Sequence, residues 1–254
     1  LDCSAYAKLE VKPNSFWLAP STLNFKMHLL YLSTVGDPTN PNGIVVQPVK
    51  NLTMVLENLC VYQQSSTKSL SAVAFQISSD QIQSIVVNNI TINATSSVDR
   101  MDTVISITAN ESQNIIFSNT SWSFNIGNTV ASVNSLLSVK TPGASVSVDG
   151  LSLLGTFNVN QVLNIIFFYF EGAEQVEISN VIIQNISSYY ANGWIFNLIE
   201  VTNAKLENIQ VRNISFSSRN PNGLVNAYRQ WDPFSFSVHN IDYNQVSSLG
   251  FFNV

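Results

Sequence analysis

Cleaving a glycosidic bond takes two carboxyl groups roughly 5 to 9.5 Å apart, and a metal site takes His, Cys or acidic side chains that converge on one ion. The acidic residues of this chain are few enough to weigh one by one. Asp99 and Asp102 flank Arg100 in VDRMD. Two acids so close would suit Ca²⁺ or general-acid work, but a solvated turn is the plainer reading. Glu171, Glu174 and Glu177 make an acidic edge, and Glu177 falls in line with Lys205 one repeat later, which favours a surface ion pair of small worth. Glu57, Asp149 and Glu207 share one repeat position on separate repeats, too far apart to cooperate. His28 and His239 have no partner at metal or triad spacing. Arg219, Arg229 and Asp232 around Trp231 would suit a sugar-binding ledge, with a plain loop as the simpler reading. Phosphate-cradling glycine loops and nucleophile elbows are missing from the sequence. No catalytic, cofactor or metal residue is therefore expected.

The modification chemistry is richer. Asn51, Asn89, Asn93, Asn110, Asn119, Asn185 and Asn213 each open an Asn-x-Ser/Thr triplet without Pro in the middle. An Asn-, Ser- and Thr-rich chain writes some of these by chance. Seven nevertheless point to N-linked glycans and a secreted, extracellular or cell-surface protein. Cys3 and Cys60 are the only cysteines; one disulfide tying down the N-terminus fits, and so do two free buried thiols.

Composition narrows the classes. The chain has 254 residues, 45% of them hydrophobic, which excludes disorder and is enough for a long core. Charged residues are only 11% and the net charge is -5, so there is no basic face and nucleic acid is not an expected partner. The longest apolar run, NIIFFYF at 164–170, is far short of the roughly 18 residues of a membrane helix, so no membrane insertion is expected here. The first residue is Leu1 and no leader pattern follows, consistent with a signal peptide already removed.

The elements that must position these residues come from a repeat. VEISNVIIQNISS at 176–188 is echoed by AKLENIQVRNISFS at 204–217, and the same frame recurs around Asn58, Asn89, Asn119, Gly150, Asn180, Asn208 and Asn240, in steps of 28 to 32 residues. Two and four positions before this mark every residue is apolar; one and three positions after it nearly every residue is, and the neighbour just before it is polar. Period-two alternation means strands, and the change of parity at the mark means a bend that keeps two short strands facing one interior. Asn and Gly tolerate the left-handed conformation such a corner needs. A third apolar stretch follows by about 17 residues in most repeats, as in VAFQI at 73–77 and IIFFYF at 165–170. A unit of this size cannot bury its own apolar face, so successive units stack.

The expectation is an all-β parallel β-helix solenoid, right-handed, with about seven coils of roughly 30 residues and three strands per coil. Residues 1–50 are expected to form an N-terminal cap and an irregular first coil, with Phe16 and Trp17 covering the open edge, and residues 51–254 the solenoid itself. Trp122 falls in an inward column and is expected in the core, as are Phe167 to Phe170. In its repeat pattern from residue 54 onward the chain resembles the pectin-lyase-like right-handed β-helix superfamily. That resemblance implies enzymes acting on polysaccharide with clustered carboxylates, sometimes with Ca²⁺.

Stacked Asn side chains are expected to form an internal amide ladder. Asn89 and Asn119 would then be withheld from glycans, and Asn51, Asn93 and Asn110 would carry them. Asn185 and Asn213 are expected to stack at a second corner, where two glycans would crowd. Without a carboxylate cluster, the expected function is a non-catalytic, glycosylated extracellular rod, structural or adhesive, stacking end to end into a filament or joined to further domains of the same chain. Carbohydrate is a further candidate partner. A polysaccharide lyase or glycoside hydrolase is the alternative, supported by fold resemblance alone.

Overall fold

Apolar sets of opposite parity on either side of one residue demand a backbone bend at that residue. In the computed structural model the bend stands where the repeat puts it. Asn89, Asn119, Asn180, Asn208 and Asn240 have φ of 51–55°, and Gly150 has φ 69°. A Cβ on Gly150 would stand 3.0 Å from Asn119 Oδ1 and 3.3 Å from Asn119 N, so a larger residue here would have to displace the Asn119 side chain.

The structure describes residues 7–11, 16–17, 24–35, 42–46, 52–65, 73–96, 100–101, 105–126, 132–133, 135, 137–157, 163–188, 191–216, 223–230, 234–247 and 250–253. Among the described residues there are twenty strands and no helix, and every pairing between strands is parallel. Each strand pairs with its equivalent one repeat on, which is the β-solenoid. Three sheets run along the stack, one before the Asn corner, one after it, and one built from the third apolar stretch. Three strands per coil follow.

The columns are in register. Met54, Ile85, Ile115, Val146, Val176, Ala204 and Phe236 lie opposite one another in succession, with Leu56, Val87, Phe117, Val148, Ile178, Leu206 and Val238 beside them. On the second sheet the column is Val61, Ile92, Trp122, Leu153, Ile183, Val211 and Tyr243. On the third it is Ile44, Phe75, Ile105, Leu137, Phe168, Phe196, Val225 and Phe252. The frame also reaches below residue 50. Strand Asn24–Val35 pairs with strand Leu52–Ser65, setting Met27 opposite Leu56 and Leu30 opposite Leu59. The coil count therefore differs slightly from seven. Phe16 and Trp17 lie in a strand that pairs with Val45 and Val46.

The interior is close to dry. From Leu56 to Leu206 the second of these columns is 0–2% exposed. Burying each such side chain contributes about 1.5–3 kcal/mol, and the successive pairs across adjacent coils make the stack one continuous core. Trp122 is 1% exposed and meets Phe168 edge-on at 5.7 Å, while Phe168 stacks on Phe196 at 5.4 Å. Phe167, Phe168 and Phe170 are buried as expected, but Tyr169 between them faces outward and is only partly buried.

Candidate functional site

The corners carry the outward chemistry. At the first corner Asn240 Nδ2 donates to Asn208 Oδ1 at 3.0 Å, and Asn208 Nδ2 donates to Asn180 Oδ1 at 3.1 Å. Gly150 has no side chain to continue the series, so Asn180 Nδ2 donates instead to Asp149 Oδ1 at 2.7 Å, joined there by Ser179 Oγ at 2.8 Å. Asn88 repeats the arrangement, accepting from Ser118 Oγ at 2.9 Å and Asn119 Nδ2 at 3.3 Å. Ser-Asn on one coil thus clamps an Asx oxygen on the coil before it. A shallow polar recess of about 480 Å³ lies beside the ladder, lined by Asn180, Asn208, Gln210, Asn240, Ile241 and Asp242.

This corrects the expectation of an internal ladder. Asn119, Asn180, Asn208 and Asn240 are exposed and Asn89 is partly buried. The inward positions are taken by the apolar residues on both sides of the bend, so a left-handed corner residue turns its own side chain out of the tube. Burial therefore gives no ground for withholding a glycan from Asn119, nor for preferring Asn51, Asn93 and Asn110. Asn110 is exposed, Asn93 is partly buried on the second sheet, and Asn51 lies outside the described residues.

The second corner is built as expected. Asn185 and Asn213 have φ of 57° and 52°, both are exposed, and Asn213 Nδ2 donates to Asn185 Oδ1 at 3.0 Å. The third corner was not legible in the sequence. It falls at Gly172, with φ 78°, and at Glu200, with φ 53°, where Glu200 Oε1 accepts the Gln230 N–H at 3.2 Å.

Among the described residues no register sets one carboxylate opposite another. Glu57 pairs across to His28 and Asn88, Asp149 to Ser118 and Ser179, and Glu207 to Ser179 and His239. Glu177 does lie opposite Lys205, but the ammonium turns to Glu207 at 2.7 Å, two residues along its own strand, while Glu177 accepts from Gln175 Nε2. The hydrogen bond and charge of Lys205 hold the Glu207 carboxyl below its ordinary range, and the same contact raises Lys205. The Asp99–Asp102 pair, Arg219, Trp231, Asp232 and Cys3 lie outside the described residues. Of Cys60 and His28 only the backbone is described, Cys60 opposite Tyr31 and Thr91, His28 opposite Glu57.

One outward cluster has no counterpart in the sequence reading. On the third sheet Lys140 Nζ stands 3.2 Å from Glu171 Oε2 and 5.1 Å from the centre of the Tyr169 ring. Tyr169 donates its hydroxyl to the same Glu171 oxygen at 2.9 Å. Burial first, and then the adjacent carboxylate, push the Tyr169 phenol up to about 12. The spacing was the available signal, since Lys140 and Glu171 are register partners one coil apart. Beside the cluster, Asn226 Nδ2 donates to Asn197 Oδ1 at 2.7 Å, a further amide contact between coils. The Tyr169 hydroxyl and the Lys140 ammonium both bind the one Glu171 carboxylate, so this cluster is suited to fixing the sheet's outer face. Set against protein-family models, curated proteins and solved structures, the chain matches none of them.

Proposed function

We propose that this chain is a non-catalytic, N-glycosylated extracellular rod, structural or adhesive, whose coils wind right-handed in the manner of the pectin-lyase-like β-helices. The observation that carries the reading is the contrast between the two faces of one wall. Inside, apolar columns run unbroken from coil to coil. Outside, polar groups are tied to their neighbours along the stack by amide, hydroxyl and carboxylate contacts that leave each acid in its own coil. Such a wall resists bending, and among the described residues no register sets two acids directly opposite each other. Seven acceptor triplets on a chain of low charge supply the extracellular part of the reading.

The same wall supports growth by stacking. Phe236, Val238, Ile241 and Tyr243 fill the inward columns of the last coil but are only partly buried, and Phe234 and Phe236 stack at 5.7 Å beside them. A further coil of the same pattern, from the same chain or from a second copy, would complete these columns. Repetition of one such unlike-surface contact yields an open filament. Electron microscopy of negatively stained protein at high concentration is expected to show fibres with an axial repeat of several coils, and strictly monomeric particles would contradict the filament. Turnover of any member of a panel of pectins, alginates and glucans would contradict the non-catalytic reading.

A further inference from the structure

The second corner brings two glycan acceptors onto adjacent coils and gives them unequal surroundings. Adjacent strands of a sheet are about 4.8 Å apart, close to the thickness of a sugar ring, so two oligosaccharides rooted there would collide at their first residues. Asn185 and Asn213 take different parts in the contact between them, since Asn185 accepts through Oδ1 and Asn213 donates through Nδ2 at 3.0 Å.

The surface beside them is unequal too. Leu154 and Ile182 are each 37% exposed on the outer face of the second sheet, on the coil of Asn185 and the coil before it. Ser152 lies opposite Ile182 and Leu154 opposite Gln184, so the two apolar side chains are diagonal neighbours next to this corner. At the level of Asn213 the same outward positions hold Gln210 and Arg212, and Arg212 stands 3.9 Å from Asp242. Among the residues whose burial is described, the exposed apolar side chains beside this corner lie on the Asn185 side.

We propose that Asn185, and not Asn213, carries an N-linked oligosaccharide, and that this glycan covers the patch formed by Leu154 and Ile182. The proposal rests on the extracellular reading above. In the transfer, Asn185 Nδ2 forms a bond to the anomeric carbon of a lipid-linked oligosaccharide as the bond from that carbon to the lipid diphosphate breaks. The diphosphate leaves with the bonding pair, and the amide gives up one proton. Oδ1 is untouched, so modified Asn185 still accepts from Asn213. The same reaction on Asn213 would place the sugar on the nitrogen that already faces Asn185.

The test is secretion of the full chain from a glycosylating eukaryotic host, followed by glycan release with peptide N-glycosidase in ¹⁸O water and mass spectrometry of each acceptor peptide. Asn185 is expected to be largely converted to labelled Asp and Asn213 to stay bare. Occupancy of Asn213 equal to or above that of Asn185, or both on one molecule, would overturn this proposal alone. A chain bare at every acceptor would overturn it together with the glycoprotein reading. Ser187→Ala removes the Asn185 triplet while leaving both amides in place. It is expected to raise binding of anilinonaphthalene sulfonate several-fold, and adding Leu154→Ser and Ile182→Thr is expected to return it to the parent level. Dye binding that Ser187→Ala leaves unchanged would refute the covering role.

Discussion

Two neighbouring coils carry the same pattern and end up in different environments. Ala204, Leu206, Ile209 and Val211 are 4%, 0%, 0% and 0% exposed. One coil on, Phe236, Val238, Ile241 and Tyr243 occupy the same four columns with larger or similar side chains, yet all are only partly buried. The inward alternation is identical, so the difference comes from neighbours: the first coil has a described coil on each side, the second on one. Burial in this molecule is a property of the stack, as expected for a solenoid whose unit cannot close its own core.

Truncating a side chain with coils on both sides should break this contrast most strongly. Phe117→Ala is expected to lower stability by about 3–5 kcal/mol and Leu206→Ala by about 2–5 kcal/mol, whereas Val238→Ala, with one face already in solvent, should cost only about 1 kcal/mol. Urea unfolding followed by far-ultraviolet circular dichroism reads all three. Equal losses at Leu206 and Val238 would mean that the last coil is covered as well as the one before it.

The corners sharpen the comparison at smaller magnitude. Asn208 both donates and accepts in the ladder, while Asn240 only donates to the coil before it. Asn208→Ala forces a Cβ residue into the left-handed region and loses both amide contacts, for about 2–3 kcal/mol in all. Asn208→Gly relieves the backbone and loses only the ladder, so it should cost about half as much. Asn240→Gly, with a single contact, should cost less again. If the two Asn208 variants were equally destabilised, the left-handed φ would be irrelevant.

Titration gives a smaller effect. Burial raises the phenols of both Tyr169 and Tyr243 to about 12, so each favours its protonated form in the folded chain. Their contribution is fully present below the ordinary tyrosine value of about 10 and is lost as pH rises from there towards 12. Absorbance at 295 nm during alkaline titration should show late-ionising tyrosines, and Tyr169→Phe and Tyr243→Phe should each remove one. The smallest effect is expected at the exposed Lys205–Glu207 pair, where Lys205→Ala should leave the urea midpoint unchanged within error.

The columns and the first corner were readable because inward residues change parity at an Asn or Gly in every repeat, a signal that survives even where Gly150 or Thr120 replaces the usual residue. The second corner was readable for the same reason, with Asn185 and Asn213 in NIS triplets. The third was not, since Glu200 has no intrinsic preference for positive φ and holds it through contacts with the next coil, its N–H donating to Tyr228 O at 2.8 Å and its carboxylate accepting from Gln230. The side of the wall on which the Asn ladder stands was also hidden. Alternation shows which residues face in, but it is broken at a left-handed residue, so sequence parity says nothing about where that side chain points. The Lys205 partner illustrates a further gap: register correctly aligned Glu177 with it, while choosing between a cross-coil and a same-strand carboxylate depends on rotamers that spacing does not encode.

The central claim is that residues about thirty apart sit one strand spacing apart on the same face, and disulfide trapping in a Cys3→Ser, Cys60→Ser background measures it directly. Ser147 lies opposite Glu177, and Glu177 opposite Lys205 one coil further. A one-coil pair about 4.8 Å apart falls within disulfide reach, and a two-coil pair at about twice that does not. Under mild oxidation S147C/E177C should therefore form an intramolecular crosslink quantitatively while S147C/K205C stays reduced. Equal crosslinking of the two pairs, or crosslinking of the second alone, would contradict the stacked-coil account.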